Sequence, residues 1–255
     1  MAHATMERSL QNKVVAVVGG AQGIGCAIAD HFLLHGAKTA ILLDINSIQG
    51  FKAIGTLTDK HGKDKAVFIK CDATTELDTI SKIFETYKTI DVLVLSASTV
   101  NTDHRKMMDV YATSVIEWSM KFYEHMRKDN GGSGGTIITI SSIFGFRPVP
   151  YSPVYQAAKY AVFGFTKSLG HLENFQKTGV RVLGLCPGFT ETALTKKLRD
   201  PDMQKELSED LVKFANSLPW QTVEDVGKAA VEMYGRADSG TMWLVEGGHP
   251  IVEVR

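Results

Sequence analysis

Two groups of residues have types and spacings that could do chemistry. The first is the turn Gly19-Gly20-Ala21-Gln22-Gly23-Ile24-Gly25, which follows the apolar run Val14 to Val18 and opens a helical pattern of Ile24, Ile28, Phe32 and Leu33. Glycines let a backbone turn tightly and come close to a pyrophosphate, while the helix start offers free N–H groups and a partial positive charge. A plain strand-to-helix connection would use the same residues, so the turn alone leaves both readings open. Asp44 adds weight, because it ends the second strand 19 residues after Gly25, where a carboxylate can accept hydrogen bonds from an adenosine ribose. A ribose 2′-phosphate there would meet like-charge repulsion, and neither Gln22 nor Ile45 supplies a compensating charge. The expected cofactor is therefore NAD; an aspartate that merely serves its turn is the alternative. The second group is Ser142, at the end of a strand, with Tyr155 and Lys159 as neighbours on one helical face at spacing i, i+4. A Tyr-x-x-x-Lys pair is common by chance, so its weight comes from its context.

The elements that must hold these residues alternate. Val14–Val18, a helix ending before Gly36 and a strand over 39–43 make a βαβ unit. A charged helix follows near 48–61, a strand at 66–70, a helix around 77–87 and a strand at 92–95. The pattern then gives a helix around 106–127, a glycine-rich surface turn at 130–135, a strand at 136–140, a helix over 155–175 and strands at 180–185 and 242–245. This order predicts an α/β fold: one domain over 1–255 with a doubly wound, Rossmann-type parallel sheet of about seven strands and helices on both faces. Residues 190–219 break the rhythm. Leu194, Leu198, Leu207, Leu211 and Phe214 recur there at helical spacings, which predicts one or two helices placed over a cleft or, alternatively, a surface pair with an ordinary core face.

The composition narrows the partners. Of 255 residues 44% are apolar, enough for a large core, and 28 Lys+Arg balance 28 Asp+Glu, so no charge excess draws nucleic acid or anionic lipid. Cys26, Cys71 and Cys186 stand singly, with no pairing or metal-ligand spacing. Residues 1–11 are polar and do not form a signal peptide, and no apolar run nears the roughly 18 residues of a membrane span, so a cytoplasmic location is expected.

From Lys13 to Gly248 the chain resembles the short-chain dehydrogenase/reductase family. The Gly19-x-x-x-Gly23-x-Gly25 turn, Asp44, Asp72, Ser142 thirteen residues before Tyr155, Lys159, and Pro187-Gly188 with Thr192 occur in the family's order. Ser141 to Phe146 and Ser239 to Gly248 look closest to its insect alcohol dehydrogenase and 15-hydroxyprostaglandin dehydrogenase branch. The resemblance implies that Tyr155 is the general acid/base, that Ser142 holds the substrate oxygen, that the Lys159 ammonium and the positive nicotinamide together favour the phenolate and so lower its pKa, and that Lys159 also reaches the nicotinamide ribose. It places Gly19, Gln22, Gly23, Ile24, Gly25, Asp44, Asp72, Ala97, Pro187, Gly188 and Thr192 along NAD. The chain departs from the family pattern in three places: Val18 for a threonine, Leu95-Ser96-Ala97-Ser98 for Asn-Asn-Ala-Gly, and Tyr111 for a catalytic asparagine. A phenol at 111 either binds the relay water differently or takes its space, or is simply a packed helix residue.

Phe144, Phe146, Pro148, Val149, Tyr151, Phe189, Leu194 and Leu198 are the residues expected around an apolar substrate pocket, although some of them could equally belong to the core. A lipophilic secondary alcohol or ketone follows: a steroid or ecdysteroid, a prostaglandin-like hydroxy fatty acid or an isoprenoid. The competing expectation, motivated by Tyr111 and residues 95–98, is a catalytically weakened NAD(H)- or lipid-binding protein. The helix over 155–175 is apolar around much of its circumference, which implies cover by a second subunit in a homodimer, or in a homotetramer if the Trp243 region also packs.

Overall fold

The computed structural model describes residues 8–205 and 207–255. Its centre is β1 (Val14–Val18), whose side chains alternate between two apolar layers as the period of a strand requires. Val15 and Val17 join Ile28 and Phe32 of α1 (Gly23–Leu34), and Ala16 and Val18 join Trp118 and Phe122 on the opposite face. β2 (Thr39–Asp44) and β3 (Ala66–Lys70) extend the sheet to one side of β1. β4 (Val92–Leu95), β5 (Gly135–Ile140), β6 (Val180–Pro187) and, later in the chain, β9 (Met242–Val245) extend it to the other. The strand order β3-β2-β1-β4-β5-β6-β9 is parallel throughout, so the chain reverses direction between β1 and β4. In such sheets the crevice at the carboxyl ends of the strands beside that switch point is where ligands bind.

The main sheet has eight strands rather than about seven. The additional one, β10 (Val252–Val254), pairs antiparallel with β9 at the edge, where Val252 and Glu253 are both exposed and no buried alternation marks a strand. A separate parallel pair, β7 (Phe189–Thr190) with β8 (Trp220–Gln221), has two residues per strand.

The helices differ from expectation in three places. The helix over 106–127 is α4 (His104–Met108), a π-turn (Asp109–Thr113) and α5 (Ser114–Met126). The helix over 155–175 divides into α6 (Pro153–Leu169) and α7 (Leu172–Thr178): Gly170, with no room for a Cβ beside the Gly240 nitrogen, ends the first, and the His171 side chain caps the second by accepting from the Glu173 N–H. α10 (Val223–Arg236) was not expected from the sequence. It starts on a capping box of Thr222 and Asp225 and crosses α1 closely enough that a Cβ at Gly227 would meet the His31 ring at 2.3 Å. The remaining helices are α2 (Ser47–His61), α3 (Thr79–Tyr87) and, within 190–219, the short α8 (Pro201–Gln204) and α9 (Glu209–Ser217). Among the described residues no helix is long and apolar enough to cross a membrane, and all three cysteines are free.

One buried charge ties β6 to the end of α10. Arg181 is 3% exposed and donates to the Tyr234 and Ala237 carbonyls at 2.9 and 3.0 Å and to Thr136 Oγ1 at 3.2 Å, with its guanidinium 4.8 Å from the Tyr234 ring centre. Burial depresses its pKa to about 10. Arg181→Ala would leave the helix-end carbonyls without these donors and open a cavity, at an expected cost of about 3–5 kcal/mol. Urea unfolding checks this, as a lower midpoint at unchanged slope.

Candidate active site

A cleft of about 640 Å³ runs along the carboxyl ends of the central strands. At one end lies the glycine-rich turn. Gly19 has φ +75°, and a Cβ there would lie 2.6 Å from the Ala97 nitrogen; a Cβ on Gly25 would lie 2.2 Å from the Gly19 carbonyl oxygen. The turn is thus pressed onto residues 96–97 from one side and onto its own helix from the other. Gly25 sits behind the turn and lies outside the cleft lining, whereas Gly19, Gln22, Gly23 and Ile24 line it. Gln22 occupies the N-cap of α1 without a side-chain hydrogen bond to the helix. That leaves the first N–H groups of α1 without the usual side-chain cap.

Asp44, at the tip of β2, accepts from the Ala21 N–H at 3.1 Å and from the Asn46 N–H at 2.9 Å, which fixes its carboxylate beside the turn. Asp72 follows β3 and accepts from the Thr74 N–H and hydroxyl at 2.9 and 2.7 Å. Burial alone would raise its pKa, but the Thr74 hydrogen bonds and the nearby Lys106 ammonium outweigh that and lower it. Ala97, Pro187, Gly188 and Thr192 complete this half of the lining. Thr192 stands opposite Gly23, and Thr195 Oγ1 fastens its loop by donating to the Thr190 carbonyl at 2.6 Å.

Ser142, Tyr155 and Lys159 converge at the middle of the cleft. Ser142 caps a 3-10 turn (Ile143–Gly145), its Oγ accepting from the Phe144 N–H at 3.2 Å. Lys159 Nζ donates to the Ile140 carbonyl at 2.8 Å, and the Lys159 carbonyl accepts from Ser141 Oγ at 3.0 Å, so α6 is fastened to the end of β5. Burial pushes Tyr155 well above the ordinary phenol, reinforced by Tyr111 and opposed by the Ser142 hydrogen bond, and burial depresses Lys159 to about 8. Tyr111, on the π-turn, stands edge-to-face against Tyr155 with ring centres 4.9 Å apart.

The far end is aromatic. Phe144, Val149, Tyr151, Phe189, Leu194 and Leu198 line it, as do Leu211 and Phe214 of α9. Phe214 touches three of the others, with ring centres 6.2 Å from Phe144, 5.3 Å from Tyr151 and 6.5 Å from Phe189. Two expected pocket residues are absent from the lining. Phe146 turns away to pack on Phe163 at 6.0 Å, with Arg147 over its ring, and Pro148 is exposed on the outside. Phe214, Leu211, Met107 and Val110 line the cleft without having been assigned to it from the sequence; only the helical spacing of Leu211 and Phe214 hinted at a shared face.

The family model described as short chain dehydrogenase matches residues 13–203, about three quarters of the chain. This chain belongs to the short-chain dehydrogenase family. The rat protein named 15-hydroxyprostaglandin dehydrogenase [NAD(+)] is 38% identical over 193 residues, covering 74% of this chain and 72% of its own. The human protein of that name is 35% identical over 215 residues, 80% of each, and alcohol dehydrogenase 1 of Ceratitis cosyra is 28% identical over 253 residues, 94% of each. Among solved structures, an L-sorbose reductase from Gluconobacter frateurii complexed with NADPH and L-sorbose superposes with a TM-score of 0.78 at 23% identity, over 95% of this chain and 98% of that one. This likeness concerns the fold. Within this dehydrogenase the departures at 18 and 95–98 leave the turn well supported: Val18 is a buried core residue, and the Ser96 N–H donates to the Val18 carbonyl at 2.9 Å.

Proposed function

We propose that this dehydrogenase moves hydride between NAD and an uncharged, lipophilic secondary alcohol or ketone. The observation that carries the reading is the convergence of Ser142, Tyr155 and Lys159 at the boundary between a polar, glycine-lined half of the cleft and an aromatic half. The polar half fits a dinucleotide by its own construction: a turn with no room for Cβ atoms, a helix start without a side-chain cap, and a carboxylate at Asp44 with no cation beside it in the lining. The NAD(+) in the names of the 35–38% identical relatives supports the same cofactor.

Bound there, NAD would supply a hydride acceptor and a positive charge beside the phenol. The chain's own residues handle the oxygen and its proton. Ser142 Oγ holds the alcohol oxygen, and Tyr155 Oη takes its proton in oxidation and returns it in reduction. Lys159, still an ammonium below about pH 8, stabilises the phenolate that Tyr155 must be before it accepts the alcohol's proton in oxidation, and that reduction leaves behind.

The charged lining residues, Asp44, Asp72, Lys106 and Lys159, all belong to the polar half or its boundary. The aromatic half offers no partner to an ionised substrate group, which favours a neutral steroid-like or isoprenoid alcohol over a free hydroxy acid. We infer that residues 190–219 act as the cover of this half, with Phe214 as the contact that closes it. Phe214→Ala is expected to raise KM for such a substrate about tenfold with a smaller effect on kcat, measured by steady-state kinetics. A cytoplasmic homodimer built on α6, or a homotetramer if the Trp243 region also packs, is the expected assembly; sedimentation tells the two apart by mass.

The test is NADH formation from NAD with a panel of secondary alcohols, beside parallel assays with NADP. Turnover with NAD supports the reading, and tight NADH binding without turnover on any alcohol would replace it with a binding protein.

A further inference from the structure

We propose that Tyr111 is a positioning residue for the proton-handling pair, the face of its ring holding the Lys159 ammonium where an ion-pair partner would otherwise stand and its edge contact fixing the Tyr155 ring. The proposal rests on the roles given to Tyr155 and Lys159 above. It starts from an unusual accounting around Lys159, which is 5% exposed. Among the described residues its one hydrogen bond goes to the Ile140 carbonyl at 2.8 Å, and no carboxylate contributes to its electrostatic surroundings. What faces it are two aromatic rings, with Nζ 5.0 Å from the Tyr111 centre and 5.6 Å from the Tyr155 centre. The two rings stand at 90° to one another, so the ammonium occupies the corner between them.

The Tyr111 ring is held firmly enough to do this. Its hydroxyl donates to the Thr99 carbonyl at 2.7 Å and accepts from the Thr99 N–H at 3.1 Å, and the residue is 4% exposed. Both bonds run to a segment that also lines the cleft, so the ring bridges the loop after β4 and the helix bearing the acid/base pair. The negative face of an aromatic ring attracts a cation most strongly when both are removed from water, as they are here.

The other groups packed around Lys159 do not compete for this role. Burial raises the Tyr155 pKa, so on α6 it is a neutral phenol where Lys159 titrates in the protein alone, and the Ser141 and Ser142 hydroxyls at the end of β5 are uncharged. The Cys186 thiol on β6 acts to raise the Lys159 pKa, but burial pushes its own up to about 12, so it is still neutral where Lys159 titrates. Burial already depresses Lys159 to about 8, and removing a ring that favours its charged form lowers it further, by about one unit. In alcohol oxidation the working form carries the lysine proton, so the loss appears as a high-pH limb displaced toward lower pH.

The test compares Tyr111→Phe, Tyr111→Leu and a protein with pentafluorophenylalanine at position 111, which keeps the ring's shape but reverses the sign of its face. The Lys159 ammonium is titrated by NMR of side-chain-labelled lysine in the cofactor-free protein, and the pH profile of kcat is recorded beside it. Tyr111→Phe is expected to titrate close to the parent, whereas the leucine and pentafluoro proteins titrate about one unit lower, with the high-pH limb moving in step. The same titration in the pentafluoro and Tyr111→Phe proteins, which both lack the hydroxyl and keep the ring, would overturn the proposal, and this comparison survives a failure of the leucine variant to fold. The titration needs neither substrate nor NAD, so an absence of turnover counts against the proposed function alone.

Discussion

Tyr155→Phe is expected to lower kcat for alcohol oxidation by about 10³-fold while leaving NADH affinity within about threefold of the parent. Removing one oxygen atom leaves the Tyr155 ring in its edge contact with Tyr111 and leaves Lys159 bonded to the Ile140 carbonyl, so the architecture of the site survives. What disappears is the group that takes the substrate proton. Burial holds the phenol well above its ordinary pKa, reinforced by Tyr111 and opposed by the Ser142 hydrogen bond. Oxidation needs this group as the phenolate, so its rate should rise with pH on the acid side. Stopped-flow measurement of hydride transfer, with NADH binding followed by fluorescence, separates the two effects. A Tyr155→Phe protein with parental kcat would remove Tyr155 from the chemistry.

Much of this site was legible in the sequence because its parts are local. The glycines at 19, 23 and 25 and the aspartate ending β2 are fixed by the strand–turn–helix–strand unit in which they occur, and Tyr155 and Lys159 by one turn of one helix. What stayed hidden depends on less regular or more distant geometry. A π-turn holds one residue more per turn than an α-helix, so counting along 106–127 does not tell which way Tyr111 points; the structure turns it onto Lys159. Phe144 and Phe146 differ by two positions, yet the 3-10 turn after Ser142 aims one into the cleft and the other at Phe163. Phe214 reaches the aromatic cluster through the pairing of β7 with β8, two-residue strands some thirty positions apart that carry no periodic signal. α10 was missed although it carries a capping box, since its start follows the irregular stretch through Pro219 and its reading as a buried helix needs the close crossing that Gly227 allows against His31.

Exchanging the charge at the tip of β2 is expected to reverse cofactor preference. In Asp44→Asn combined with Ile45→Arg, the ratio of kcat/KM for NAD over NADP should fall by about 10²–10³. Two unit charges 4 Å apart at an effective dielectric constant near 20 repel by about 4 kcal/mol, equivalent to roughly 10³ in affinity, and solvent at the half-buried Asp44 reduces this. Asparagine keeps a carbonyl oxygen for the Ala21 N–H, so the glycine turn retains its tie to β2, and the bond lost from Asn46 lies at an exposed position. Ile45 is 61% exposed and lines the cleft, so an arginine there reaches the 2′-position without displacing core. Thermal unfolding of the double variant should stay close to the parent, which separates a change of specificity from a loss of fold. An unchanged preference for NAD in a folded double variant would mean that Asp44 serves only its turn, and that some other residue of the polar half discriminates against the phosphate.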